Sequence, residues 1–125
     1  MHLLLVFISS ICITLSGTTD TLFEQIEKGF NERNASHIIQ FAKTNVMMSI
    51  LGKESIYSKQ QSIQLLKDFF AKKSLEEFKF TFKGKETSEG LFAIGTYKMK
   101  EGEYRVSIHF VHDHTTYVIE RLTIE

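Results

Sequence analysis

The chain has 125 residues, enough for one domain of ordinary size. Hydrophobic residues make up 42% of the sequence and charged residues 24%, which is typical of a globular protein. Because the 15 Lys and Arg residues are balanced by 15 Asp and Glu residues, the sequence has no basic excess of the kind that binds nucleic acid or anionic lipid.

The N-terminal segment differs from the rest of the chain. No Asp, Glu, Lys or Arg occurs before Asp20, and residues 3–15 are predominantly apolar. This run has the length of the apolar part of a signal peptide and is shorter than the ~20 residues that cross a bilayer. Small residues follow it, and cleavage is expected after Ser16. We therefore expect residues 1–18 to be a signal peptide and residues 19–125 to be one exported α+β domain.

The same segment has other interpretations. Only His2 stands where a signal peptide usually carries Lys or Arg, so an uncleaved membrane anchor and a buried N-terminal strand are alternatives. The single cysteine, Cys12, lies within this segment, and Ile11 before it is too large for a lipoprotein signal. Once the segment is removed, the domain has no cysteine for a disulfide, a nucleophile or a metal site.

Three segments have the three-to-four-residue spacing of apolar side chains that is typical of amphipathic helices. A capping box at Thr21 and Glu24 is expected to begin the first helix. Asn34 can cap the second, and a capping box at Ser58 and Gln61 predicts the start of the third. The apolar stripes of the three helices consist of Leu22, Phe23, Ile26 and Phe30; of Ile38, Ile39, Phe41 and Ala42; and of Ile63, Leu66, Phe69 and Phe70.

Five segments are predicted as strands. The first is the short stretch 46–51, which Gly52 ends. Phe78, Phe80 and Phe82 alternate with polar residues and predict a half-buried strand. Three further strands, joined by short polar turns, are expected at residues 91–99, 103–112 and 117–124. Strands joined by short turns form an antiparallel sheet, and the helices before them must cover one of its faces.

The order of these elements resembles the nuclear transport factor 2-like superfamily, in which a curved sheet wraps around helices to form a cone. The sequence is more closely similar to a bacterial family of exported proteins called domain of unknown function 4783. The similar stretches are residues 51–59, residues 66–70, Gly95, residues 102–106 and residues 122–125. The resemblance spans essentially the whole chain from residue 20 onward.

This resemblance implies a fold and a location, but it brings no established activity and no catalytic residue. The implied fold is of the α+β class: a cone-like curved antiparallel sheet packed on three N-terminal helices, nuclear transport factor 2-like or cystatin-like. The implied location is the periplasm or cell envelope of a Gram-negative bacterium, with no stable membrane insertion after signal cleavage.

A cone-shaped sheet leaves a cavity at its open end, and four side chains are candidates to line it. Alternation places Glu120 on the apolar face of Val118, where burial would favour its protonated form and let it act as a proton-transfer base. A bulge at this point would instead turn Glu120 to water. Tyr104 shares an apolar face with Phe110 and could offer a phenol to a ligand or pack at the edge of the core. Tyr97 is a further candidate that could assist the carboxylate.

No metal, cofactor or nucleic-acid site is expected from the sequence. His109, His112 and His114 are close together, but alternation puts the first two on opposite faces of a strand. Several lysines between residues 72 and 85 are interleaved with phenylalanines. Alternation directs those phenyl rings to the other face, where they cannot stack on bases beside the lysines.

The sequence favours a non-catalytic module of the cell envelope that binds a small apolar ligand or a protein partner, since no nucleophile–base pair or paired acid is evident. One alternative is a small isomerase- or dehydratase-like enzyme with Glu120 as its base. Another is a structural envelope protein that forms a homodimer through the outer face of its sheet. The apolar residues expected on that face are Tyr97, Val111, Tyr117 and Ile119.

Overall fold

The computed structural model describes residues 18–125, which form three helices and six strands. The helices are α1 (Thr18–Asn31), α2 (Ala35–Ile39) and α3 (Lys59–Lys72). The strands are β1 (Ala42–Ile50), β2 (Lys53–Ser58), β3 (Glu77–Lys83), β4 (Leu91–Met99), β5 (Gly102–Asp113) and β6 (Thr116–Ile124). The expected signal peptide lies outside the described residues except for its last position. None of the described helices is long and apolar enough to span a membrane.

All six described strands belong to one curved, unclosed sheet in the order β2-β1-β6-β5-β4-β3. The predicted α+β class, curved sheet and three helices are confirmed. One pairing differs from the expected antiparallel arrangement, because β1 and β6 run parallel, with Met48 opposite Leu122. The difference arises because the hairpin formed by β1 and β2 joins the sheet beside β6, the last strand of the chain. The three helices cover one face of the sheet, which we call the inner face.

The strand β2 was not predicted. Leu51 and Gly52 form a two-residue turn in which both φ angles are positive, at 50° and 91°. Two consecutive residues of this kind are typical of a type I′ hairpin turn. The strand after the turn is polar and mostly exposed, so it lacks the alternation by which a strand is recognised in a sequence. It forms one edge of the sheet.

Two of the three predicted helix caps are confirmed. The side chain of Asn34 accepts a hydrogen bond of 3.0 Å from the backbone N–H three residues later and caps α2. At α3 the Ser58 hydroxyl accepts from the Gln61 N–H, and the Gln61 side chain accepts from the Ser58 N–H. The capping box predicted at Thr21 was wrong, because α1 already begins at Thr18.

The core lies between the helices and the inner face and is rich in phenyl rings. Phe30 of α1 stacks on Phe78 of β3 with ring centroids 4.2 Å apart, and Phe23 meets Phe80 edge-on at 5.3 Å. Gly95 of β4 makes this packing possible, since a Cβ atom there would come within 2.4 Å of the Phe78 ring. Packing of α1 on β3 therefore forms much of the aromatic core.

A β-bulge in β3 changes which residues of that strand face the core. The pairing with β4 shifts between Phe80 and Phe82, which turns Phe82 to the outer face. Its side chain is 52% exposed, whereas Phe78 and Phe80 are buried. The prediction that all three rings share the buried face was therefore wrong for Phe82.

Candidate ligand-binding site

A second bulge decides the position of Glu120. Ile119 lies opposite Phe110 and Arg121 lies opposite His109, which leaves Glu120 in β6 as an extra residue without a partner in β5. The residues that face the core therefore change parity at this point of the strand. The expectation that Glu120 lies on the apolar inner face was wrong, because the bulge turns its side chain outward.

On the outer face Glu120 belongs to a small cluster of polar and charged groups. Its two carboxylate oxygens lie 3.2 Å from His109 Nδ1 and 3.5 Å from Lys43 Nζ. The other ring nitrogen of His109 lies 3.1 Å from the backbone carbonyl oxygen of Glu89. The side chain of Glu120 is 41% exposed. A carboxylate that is paired with basic groups and open to water is not the desolvated base that the enzyme interpretation requires.

Tyr97 and Phe110 are core residues, and both are fully buried. The Tyr97 hydroxyl donates a hydrogen bond to the backbone carbonyl of Lys73, just beyond the end of α3. Burial raises the pKa of this phenol to about 12. Phe110 packs edge-on against Phe23, with ring centroids 5.9 Å apart. The structure thus gives Tyr97 and Phe110, both expected to line a ligand pocket, a packing role in the core.

Tyr104 lies on the inner side of β5, at the edge of the core. Its ring centroid is 5.8 Å from that of Phe69 and 5.8 Å from Lys73 Nζ. It lines a cavity of about 410 Å³ whose other lining residues are mainly polar and come from the end of α3 and the β4–β5 turn. Tyr104, one of the four sequence candidates, therefore lies in a cavity wall.

A more apolar cavity lies between the β1–β2 hairpin and α3, and we call it the hairpin cavity. Its volume is about 270 Å³. Its apolar walls consist of Met48, Ile50, Leu51, Tyr57, Leu65 and Phe69. Its charged lining residues are Lys53, Asp68, Lys72 and Lys73. The last two lysines also line the cavity beside Tyr104, so the two cavities are neighbours at the end of α3.

The chain connectivity creates the hairpin cavity. Because α3 begins at Lys59, directly after β2 ends at Ser58, the helix must run back across the inner face of the hairpin that it follows. The side chain of Leu66 is buried in the core, whereas Leu65 is half-buried and reaches the cavity. The cavity is therefore the space between α3 and the inner face of the hairpin, near its turn at Leu51.

The rim of the hairpin cavity carries a net positive charge. Among the described residues no carboxylate lies within ion-pair distance of Lys53, Lys72 or Lys73, and the single acidic residue in the lining is Asp68. Lys72 also lies in the last turn of α3, where a cation offsets the partial negative charge of the helix end. The arrangement can hold an apolar group next to an anion.

Sequence reasoning missed this cavity because the hairpin supplies half of its wall. The stretch between Gly52 and the helix cap at Ser58 is long enough for a return strand, and this was the available signal. The residues from α3 were predicted as members of a buried helical stripe, and a stripe by itself does not distinguish a core contact from a cavity wall.

The structure also bears on a metal site, which was not expected, and on the expected dimer surface. Within residues 18–125, no group of three or more His, Cys, Asp or Glu side chains is placed to hold a metal ion. On the expected dimer surface, Tyr97, Tyr117 and Ile119 face the core and Val111 is partly exposed, so that surface does not have the composition predicted for it. The most exposed large apolar residues of the described strands are Ile56, Phe82 and Phe92.

Solved structures resemble this fold. A DUF4783 family protein from Bacteroides uniformis aligns over 82% of this chain and 94% of its own, with 24% identity and a TM-score of 0.75. An NTF-2-like protein of unknown function from Shewanella oneidensis aligns over 89% of this chain and 98% of its own, with 16% identity and a TM-score of 0.65. A domain of unknown function with a cystatin-like fold from Nostoc punctiforme has 9% identity and a TM-score of 0.65, over 89% of this chain and 78% of its own.

At these identities the structural similarity shows the fold alone. No curated protein matches the sequence. A family model, described as Domain of unknown function (DUF4783), matches residues 23–125 and so covers nearly all of the described chain. The chain belongs to this family, the domain of unknown function 4783, and has a nuclear transport factor 2-like fold.

Proposed function

We propose that this domain is a non-catalytic binding module of the cell envelope and that its ligand occupies the hairpin cavity. The observation that carries this proposal is the combination of an apolar wall with three lysines that have no acidic partner among the described residues. Apolar walls with a few placed polar groups are typical of small-molecule sites. The envelope location is supported by the uncharged, apolar N-terminal segment of the sequence.

The ligand chemistry follows from the lining. An apolar body would contact Leu65, Phe69 and Tyr57, while an anionic group would lie near the lysines. The volume of about 270 Å³ is slightly below the ~300–1,000 Å³ of typical ligand sites. We therefore propose a small amphipathic anion, or the apolar end of a larger one.

Neither Glu120 nor the acidic residue of the hairpin cavity supports the enzyme alternative. Glu120 is on the outer face, far from the helix-covered side where the hairpin cavity lies. Within the hairpin cavity the acidic residue is Asp68, an exposed side chain that accepts a hydrogen bond from Gln64 at 3.0 Å. Neither carboxylate is enclosed by apolar groups, so neither has the environment that supports proton abstraction.

The binding proposal is tested with two fluorescent probes of nearly the same shape. The first is 8-anilinonaphthalene-1-sulfonate, and the second is N-phenyl-1-naphthylamine, which lacks the sulfonate. We expect the folded domain to bind the anionic probe at one site and more tightly than the neutral probe. Replacing Lys53 or Lys72 with Gln should weaken binding of the anionic probe about fivefold, because an exposed ion pair contributes up to about 1 kcal/mol. Binding of the neutral probe should not change.

The matched control is Lys67→Gln. Lys67 is an exposed lysine of α3, the helix that also carries Lys72, and it does not line the hairpin cavity. This variant should bind both probes like the unchanged protein. If neither probe binds, or if the three lysine variants behave alike, the hairpin cavity is not an anion-selective ligand site.

A further inference from the structure

The two edge strands of the sheet, β3 and β2, differ in whether side chains from elsewhere in the domain cover their outward backbone groups. At the β3 edge, the backbone N–H groups of Phe78 and Phe80 donate to the side chains of Asn31 and Glu27 of α1, each at 2.9 Å. The Asn31 side chain also donates to the Phe78 carbonyl at 2.9 Å. Helix α1 therefore closes this edge against pairing with another strand. No comparable side chain from the described residues covers the β2 edge.

The hairpin geometry identifies the free backbone groups of β2. In a two-residue type I′ hairpin, the residues that flank the turn exchange hydrogen bonds, and every second pair after them does the same. Ile50 is opposite Lys53, so the backbone groups of Lys53, Ser55 and Tyr57 point toward β1. Those of Glu54 and Ile56 point away from the sheet. Ile56 is also the most exposed large apolar residue of the described chain, at 63%.

The free edge lies beside the hairpin cavity. Lys53 and Tyr57 line the cavity, so their side chains and that of Ser55 face inward along β2. A strand added to this edge would direct alternate side chains to the same inner face. Those side chains would lie next to the apolar wall and the lysine rim.

We infer that β2 binds an extended segment of a partner polypeptide, which adds to the sheet as a seventh strand. This inference rests on the proposed function, because it names the ligand that delivers an apolar and an anionic group to the hairpin cavity. Backbone hydrogen bonds to Glu54 and Ile56 would hold the segment, and the cavity would select its inward side chains. The segment should carry a carboxylate and an apolar side chain two residues apart, since both must point inward.

Charge argues for an acidic partner over a second copy of this chain. A second β2, paired antiparallel around Ser55, would place its Lys53 opposite Tyr57, beside a cavity whose lining already holds Lys53, Lys72 and Lys73. Like charges placed together weaken association, whereas a carboxylate would complement the lysines.

The test uses a synthetic peptide of seven residues, Thr-Glu-Thr-Leu-Thr-Leu-Thr, acetylated and amidated at its ends. It is added to ¹⁵N-labelled protein while the backbone amide signals are followed by nuclear magnetic resonance. We expect saturable shifts at the amides of Glu54 and Ile56. The shifts should be smaller at Phe78 and Phe80 of the β3 edge, whose N–H groups already have partners in α1. A peptide methylated on alternate backbone nitrogens loses its strand-pairing donors and should bind at least about tenfold more weakly.

Two variants separate edge pairing from the apolar contact of Ile56. Ile56→Pro removes the outward N–H while leaving the bonds to β1, which an edge strand tolerates, and should abolish peptide binding. Ile56→Thr keeps the N–H and should bind the peptide. The methylated peptide tests the same donors without any variant, should Ile56→Pro not fold.

The outcomes are distinguishable from failure of the proposed function. Ile56→Pro should still bind 8-anilinonaphthalene-1-sulfonate, because that probe needs the cavity and not the edge. Absence of shifts at Glu54 and Ile56, or equal binding of the methylated peptide, would overturn the inference while leaving the cavity proposal intact. Dimerisation through β2, seen by light scattering and by concentration-dependent shifts of the same amides, would overturn it as well.

Discussion

Two of the four tyrosines are buried residues whose phenol hydroxyls donate hydrogen bonds within the domain. The Tyr97 hydroxyl donates to the carbonyl of Lys73, and the Tyr117 hydroxyl donates to the Glu86 carboxylate at 2.8 Å. Burial is the main cause that raises the pKa of each phenol from 10.0 to about 12, and the Glu86 carboxylate adds to the effect at Tyr117. Each hydroxyl binds a segment that connects two elements to the sheet: Lys73 lies between α3 and β3, and Glu86 lies between β3 and β4. Loss of the phenol protons should therefore lower the stability of the domain.

These pKa values predict a loss of stability at high pH. Since both folded-state values are raised, the stabilisation is fully present below the unfolded value near 10 and is lost as the pH rises through about 12. We expect the urea midpoint of unfolding to fall steadily above about pH 10. The near-ultraviolet absorbance of tyrosinate should show a late step, which Tyr97→Phe and Tyr117→Phe each reduce. A titration without a late step, or one that neither variant alters, would contradict the buried phenols.

At the scale of elements, α1 both fills the core and closes an edge of the sheet. Asn31 makes two hydrogen bonds to Phe78, and Glu27 accepts one from Phe80. Asn31→Ala should lower the free energy of unfolding by about 1–3 kcal/mol, because it leaves part-buried backbone groups without partners. Urea unfolding measures this loss, and amide exchange at Phe78 should become faster. Glu24→Ala, at an exposed position of the same helix, is the control and should change neither quantity.

Local motifs made several elements predictable. The caps at Asn34 and Ser58 depend on residues three apart, so the sequence alone contains all of their partners. The bulges before Phe82 and at Glu120 depend on how a strand pairs with its neighbour, and a single strand's alternation contains no such information. A one-residue shift moves every later side chain to the other face, which is why Glu120 was expected inside and lies outside.

The candidate site was harder to predict than the fold. Its wall combines β1, β2 and α3, and the exposed strand β2 has no periodic signal. Tyr104 was placed correctly on an inner face, but the strongest sequence candidate, Glu120, was placed on the wrong one. Regular alternation identifies core positions well, whereas a cavity depends on where the packing between elements stops.

At the scale of the whole molecule, the aromatic centre provides stability and the hairpin end provides the binding surface. The two regions meet at α3, where Leu66 is fully buried and Leu65 is half-buried in the cavity wall. This division predicts that binding can be removed without unfolding the domain. Leu65→Trp should fill the hairpin cavity, because indole is larger than the Leu side chain and Leu65 borders open space.

We expect Leu65→Trp to weaken binding of 8-anilinonaphthalene-1-sulfonate at least about tenfold and to change the free energy of unfolding by less than about 1.5 kcal/mol. The chain contains no other Trp, so the new indole also reports whether the cavity is filled. Phe110→Ala is the opposite case, since it empties a fully buried site and should cost about 3–5 kcal/mol while leaving probe affinity unchanged in the folded fraction. Equal loss of stability and binding in both variants would mean that the hairpin cavity is part of the cooperative core and not a separate site.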